Sequence, residues 1–347
     1  MENPTATPLT STAAAPFPIN STSRAPSISI LDIIAANDIT SRANYFYAFI
    51  AGLGLVAACF LFYSFAVSYR AQRWLAWLDS LLWAFCGFQL LLLFLSLSAV
   101  AHRPSYLITT ALGCVMLSFT VNVALLCGLF ILVLVDYVLT FDPPSHALLR
   151  KPGVCAALVS LASVVSSLLL ASFRGPRHDL GTMGPCFIDP VRAGLLYAAA
   201  KFILAFLTPY LLQVGLLIAS CVRQWKSNGC FLSGSEEGPM FLTVTGVMCV
   251  CHLFYSVALV RGAHLEKDGA LSPREGAFLS VAEFVFFSGS SVSLVLVLLM
   301  HRTCRDNLFG MFRQLKDCCQ RSGRTQTNRN IIAPQIEITD TLQDYEL

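Results

Sequence analysis

Apolar residues run along this chain in seven blocks, at 44–68, 77–101, 106–141, 153–173, 190–222, 239–261 and 277–301. A helix rises 1.5 Å per residue and a bilayer core is about 30 Å thick, so about twenty apolar residues make one span. Charge, proline or glycine breaks each block. Arg70 and Arg73 end the first, His102-Arg103-Pro104 ends the second, and Asp142-Pro143-Pro144 stops the third, because proline cannot continue a helix and restricts its predecessor. Only a helix satisfies its own backbone in lipid at this segment length. The pattern therefore predicts an all-α membrane protein, a seven-transmembrane helix bundle over 44–301. The third and fifth blocks exceed a minimal span and are expected to tilt or project.

Composition sharpens this reading. Of 347 residues, 56% are hydrophobic and only 12% charged, about half the charge of a soluble domain, so the surface of a soluble globule this large cannot be covered. A net charge of +3 gives no reason to expect nucleic acid. Thirteen cysteines lie too far apart for a disulfide scaffold or a paired-CxxC zinc site, so no metal or cofactor is expected.

Two signs give orientation. With the N-terminus outside, Arg70, Arg73, Arg150, Lys151, Arg223, Lys226 and the basic C-terminal segment fall on the inner side, thirteen Lys and Arg against nine. Asn20-Ser21-Thr22 is the one acceptable glycosylation sequon, since Asn3 precedes Pro4, and a sequon serves only in the lumen. Residues 1–43, rich in Ser, Thr, Pro and Ala, read as an extracellular tail without a signal peptide, leaving the first span to target the chain. Residues 320–347 read as a disordered cytosolic tail.

In this topology Cys114 and Cys186 are the two cysteines clearly on the oxidising side. A disulfide between them would pin the loop after the fourth span across the bundle's mouth; two unpaired thiols are the alternative. After the last span, residues 302–319 read as a short amphipathic helix. Leu308, Phe309, Met311, Phe312 and Leu315 form one face, with Arg305, Arg313 and Lys316 opposite. Such a helix lies against membrane lipids, and the terminal Cys318-Cys319 is a palmitoylation candidate.

Charged groups inside a membrane are functional candidates by default. Lys201, two turns before Pro209, is placed to face an anionic ligand group, and Glu283 lies near the outer end of the seventh span. The alternative is a salt bridge between the two helices. Gln89, Asn122 and His252 read as interhelical hydrogen-bonding groups, each worth about 0.6 kcal/mol.

Seven spans, an outside N-terminus, the Cys114/Cys186 pair, the C-terminal helix and Pro209 in the fifth span together resemble the rhodopsin-like G-protein-coupled receptors, over about residues 44–319. Several family motifs are missing. The third span ends Val135-Asp136-Tyr137-Val138-Leu139 without the family's arginine, the sixth lacks Trp-x-Pro, and the seventh has Ser288-Gly289-Ser290-Ser291-Val292-Ser293 in place of Asn-Pro-x-x-Tyr. The resemblance is to a divergent orphan member. It implies a plasma-membrane receptor for an unknown extracellular ligand, acting through a heterotrimeric G protein or another cytosolic transducer. It also implies that Asp136 has lost the arginine its counterpart holds, and that Gln89 replaces an acidic sodium-site residue. Asp136, Tyr137, Arg150, Lys151, Arg223 and Lys226 are then the expected transducer face, with weak or atypical coupling. A multispanning transporter or channel is the rival, with 288–293 its closest approach to a broken helix. An enzyme is not expected: no Gly-x-Ser-Gly with a partner His, no paired intramembrane aspartates and no His-Glu-x-x-His is present.

Overall fold

A computed structural model describes residues 30–72, 77–100, 102–141, 152–174, 181–228 and 238–329. Seven of its helices are long and apolar enough to cross a membrane. They are α1 (Ile30–Gln72), α2 (Trp77–Val100), α3 (Ala111–Thr140), α4 (Pro152–Phe173), the composite of α5 (Leu195–Lys201) and α6 (Thr208–Asn228), α7 (Gly238–Lys267) and α8 (Pro273–Met300). A further helix, α9 (Arg302–Arg329), follows α8 after one residue. Strands β1 (Ile108–Thr110) and β2 (Met183–Pro185) pair antiparallel into a small ribbon at one end of the bundle. That end is called the ribbon end below; α9 marks the other.

The core is a continuous apolar cluster, and α3 and α8 are its most enclosed helices. Helices α1 and α8 share the most extensive contact. Small residues make that possible: a Cβ on Gly54 would stand 2.7 Å from the Ser291 side chain. Stretch 288–293 is therefore a packing stripe. Ser288 and Ser293 return their hydroxyls to the carbonyls four residues back, and α8 runs through unbroken.

Four departures from the sequence pattern stand out. Helix α1 begins at Ile30, inside the expected tail, because Asp38–Arg42 and Thr40 to the Ala36 carbonyl support a helical turn there, and Asp32 reaches Arg274 at the start of α8. The third block opens as strand β1, its backbone committed to the ribbon, and becomes helical only where Thr110 caps Gly113 N–H. Helix α9 runs to Arg329 rather than ending at 319, so residues 320–329 are helical; residues 330–347 lie outside the described ones. The fifth span is interrupted by a wide π turn over Phe202–Leu207. Pro209 causes it: the ring lacks an N–H and would clash with the carbonyl four residues back, so the ladder widens and Thr208 bonds the Ile203 carbonyl through both N–H and Oγ1 (2.9 Å for the hydroxyl).

Candidate functional site

The ribbon end is built from the third and fifth spans inward. Cys114, in the first turn of α3, is disulfide-bonded to Cys186, just past β2, with Cα atoms 5.4 Å apart. Residues after the bond are then tied down one by one. Cys186 N–H donates to the Leu107 carbonyl (2.8 Å), Arg174 Nη2 to the Phe187 carbonyl (2.9 Å), and Ser118 Oγ to the Ile188 carbonyl (2.6 Å). Phe187 packs on Tyr106, ring centroids 4.4 Å apart. The next residue, Asp189, is thereby carried into the bundle and is 2% exposed.

Asp189 meets donors from two spans. Tyr197 and Lys201, one helical turn apart on α5, both reach it: Tyr197 donates to Oδ1 and the Lys201 ammonium pairs with Oδ2. The Tyr255 hydroxyl of α7 donates to the same Oδ2, and the Lys201 ammonium lies 5.6 Å from the centre of the Tyr255 ring. Burial alone would raise the Asp189 carboxyl, but the Lys201 charge and the hydrogen bonds of Lys201, Tyr197 and Tyr255 outweigh it and hold the group below the usual carboxylate range. Asn122 of mid-α3 and Tyr197 line one small cleft beside the cluster.

A second buried pair stands beside the first. Arg103, in the turn after α2, gives Nη2 to Glu283 of α8 and Nη1 to Ser280 Oγ (3.0 Å), with its guanidinium 4.1 Å from the centre of the Tyr106 ring. Glu283 feels the charges of Asp189 and Lys201 as well as its own partner's. Two buried ion pairs thus stand near one another and, with Tyr255, join α5, α7, α8 and both ribbon loops.

This corrects the expectation for Lys201 and Glu283. They neither pair with each other nor stand open to a ligand; each is about 4% exposed and held by a counter-ion from a loop. A buried charge must find a partner, and the loops supply the nearest ones. Asp189, Arg103, Tyr197 and Tyr255 were missed from the pattern. The available signal is the lone acid between Cys186 and Pro190, whose position the disulfide fixes; in the sequence Arg103 reads only as the end of a span.

Of the three interhelical groups, His252 Nδ1 meets the Tyr210 hydroxyl at 2.9 Å, while Asn122 is buried beside Tyr197 with its Oδ1 unpaired among the described residues. Gln89 does not fit that expectation: it is fully buried and neither amide atom has a hydrogen-bond partner among the described residues. It packs on the α3 backbone at Gly128, where a Cβ would come within 2.8 Å of its Nε2.

At the α9 end, Asp136 is buried and its Oδ2 has no hydrogen-bond partner among the described residues. Arg223 does not meet it. The guanidinium instead caps α3, donating to the Thr140 carbonyl at 2.8 Å, where helix-terminal carbonyls attract cations. Tyr137 packs on Phe141, centroids 5.0 Å apart, and Lys226 is exposed. Arg150, Lys151 and Asn20 lie outside the described residues, as do the side chains of Cys318 and Cys319. The junction of α8 and α9 holds His301 between Asp79 (Nε2–Oδ1 3.3 Å) and Cys304 (Nδ1–Sγ 3.3 Å). Burial alone would lower the imidazole, but the bonds to Asp79 and Cys304 outweigh it, and its pKa is pushed up to about 10.

Among the described residues no group of three or more His, Cys, Asp or Glu is placed to hold a metal ion. The ribbon-end assembly can bind and orient charge, and it can couple loop position to helix position. No protein-family model matches this chain, and no curated protein matches it either.

Proposed function

We propose that the chain is a divergent rhodopsin-like receptor of the plasma membrane, with the ribbon end and N-terminus outside and the C-terminus in the cytosol. The observation that carries this reading is the disulfide-fastened segment 186–190, whose Asp189 joins α5 to α7. A disulfide persists on the oxidising face, which supports an extracellular ribbon end; with seven spans that reading puts α9 inside. A ligand that binds one arrangement of this assembly better than another shifts the helices beneath it, which is all that transmission requires.

On the cytosolic side, α9 buries Cys304, packs Leu308 on the core and bonds Asn307 Nδ2 to Ser64 at 2.7 Å, while Phe309 and Phe312 stay exposed alongside Arg305 and Arg313. That division suits a helix lying in the interface, apolar side toward acyl chains and cations toward anionic headgroups. Acylation at Cys318-Cys319 and glycosylation at Asn20 belong to the same reading. Coupling to a G protein is weak or atypical. Tyr137 follows Asp136 where the family has its arginine, and Arg223 is already engaged by the end of α3.

The test is a cell-surface panel measuring proximity of each transducer class to the C-terminus, with substrate uptake and ion current recorded in the same cells. Recruitment of a transducer is the expected outcome. Robust uptake or current without recruitment would replace the receptor by the transporter or channel reading, which the unbroken α8 does not favour.

A further inference from the structure

Three donors on two different spans converge on one carboxylate, and that carboxylate belongs to neither span. Tyr197 and Lys201 project from α5 and Tyr255 from α7, while Asp189 arrives on a loop secured to α3 by the disulfide and by Ser118 and Arg174. The donor set matches a monoanion with two oxygens: Tyr197 serves one, and Lys201 with Tyr255 serves the other. A dianion such as phosphate would leave a net negative charge facing a single ammonium, with the Glu283 carboxylate close by.

We propose that Lys201, Tyr197 and Tyr255 form a carboxylate-binding site whose resident ligand is the chain's own Asp189, and that the external ligand is a carboxylate-bearing molecule that displaces it. The second half rests on the receptor reading; the site itself does not. The loop side chain acts as a tethered competitor. Its effective concentration is set by the disulfide and the loop hydrogen bonds, so an incoming carboxylate needs further contacts to win, and simple monocarboxylates leave the wild type unchanged. The same geometry makes Asp189 the link through which displacement is felt by both α5 and α7.

The experiment removes the tethered group and restores it from solution. Asp189→Ala deletes one carboxylate, and formate is that carboxylate as a free ion. In purified, detergent-solubilised full-length protein, Asp189→Ala should melt roughly 5 °C or more below wild type, because Lys201 is left buried without its counter-ion. Sodium formate, against sodium chloride at equal ionic strength, should recover about 3 °C of that loss at concentrations well above its Kd. Wild type should not respond to formate. Asp189→Ala/Lys201→Met, which removes both charges, should be more stable than Asp189→Ala and equally indifferent. If Asp189→Ala is retained inside cells, formate-dependent recovery of its surface signal, absent in the double variant, is the same readout. No formate-specific gain in Asp189→Ala, or an equal gain in the double variant, overturns the site. These readouts need no transducer, so a chain that rescues with formate but recruits nothing keeps the site and loses the receptor reading.

Discussion

Arg103 and Glu283 offer a sharp test of the ribbon-end assembly, because the pair is buried on both sides and joins segments 180 residues apart. Arg103→Met leaves the Glu283 carboxyl buried without its counter-ion, with Ser280, the guanidinium's other partner, on the same helix. Glu283→Gln leaves the guanidinium unpaired over Tyr106. Breaking one side of a buried ion pair costs about 3–5 kcal/mol, since the remaining charge keeps its desolvation penalty and loses its partner. Arg103→Met also gives up the contact with Tyr106, about 1–2 kcal/mol for a desolvated cation over an aromatic face, so it should be the more damaging single change. The double variant removes both charges and should cost less than the sum of the singles by about 2 kcal/mol or more. Thermal unfolding of the purified protein measures all four corners of the cycle, with surface expression as a check on folding in the cell. Raising salt should barely change the coupling, because a buried pair is screened little, whereas the more exposed Arg261–Glu275 pair should lose what small contribution it makes. Strictly additive losses, or a coupling erased by salt, would refute the placement of this pair inside the bundle.

Cys114→Ala and Cys186→Ala should each lower surface expression with the double variant no worse, the bond being worth about 4 kcal/mol for a loop of 72 residues; two free thiols in peptide maps of surface protein would contradict this. At the α8–α9 junction the raised pKa of His301 fixes a sign: its stabilisation is fully present below the imidazole's ordinary value of 6.5 and is lost as pH rises toward about 10. Thermal melts between pH 7 and 10 should therefore fall more steeply in wild type than in Asp79→Asn, and parallel curves would remove His301 from the account. Tyr137→Arg should raise G-protein recruitment above a weak wild-type level; strong wild-type nucleotide exchange with no gain would show that the missing arginine does not limit coupling. Palmitate-analogue labelling should disappear in Cys318→Ser/Cys319→Ser, and unchanged labelling would move the lipid elsewhere, Cys304 first.

Hydrophobic length alone determined the architecture. A run of apolar residues long enough to span must be helical in lipid, so the seven blocks were legible without any contact information. The disulfide was legible for a similar reason, since topology left Cys114 and Cys186 together on one side. Charge partnership was not legible. Lys201 and Glu283 stood out because they are costly inside a membrane, yet which anion and which cation neutralise them depends on where two loops fold back, and loop paths leave no periodic trace. Asp189 is recruited because the disulfide, Ser118 and Arg174 steer segment 186–190 over α3, and Arg103 because the turn after α2 closes on α8. The π turn before Pro209 and the strand that replaces the start of the third block were not legible either, though the first has a local cause in the proline. Each satisfies backbone groups through a local or cross-loop partner that a hydropathy pattern cannot register. Sequence thus settled which segments share the apolar phase, while the tertiary fold decided which charges share a low-dielectric site and must neutralise one another there.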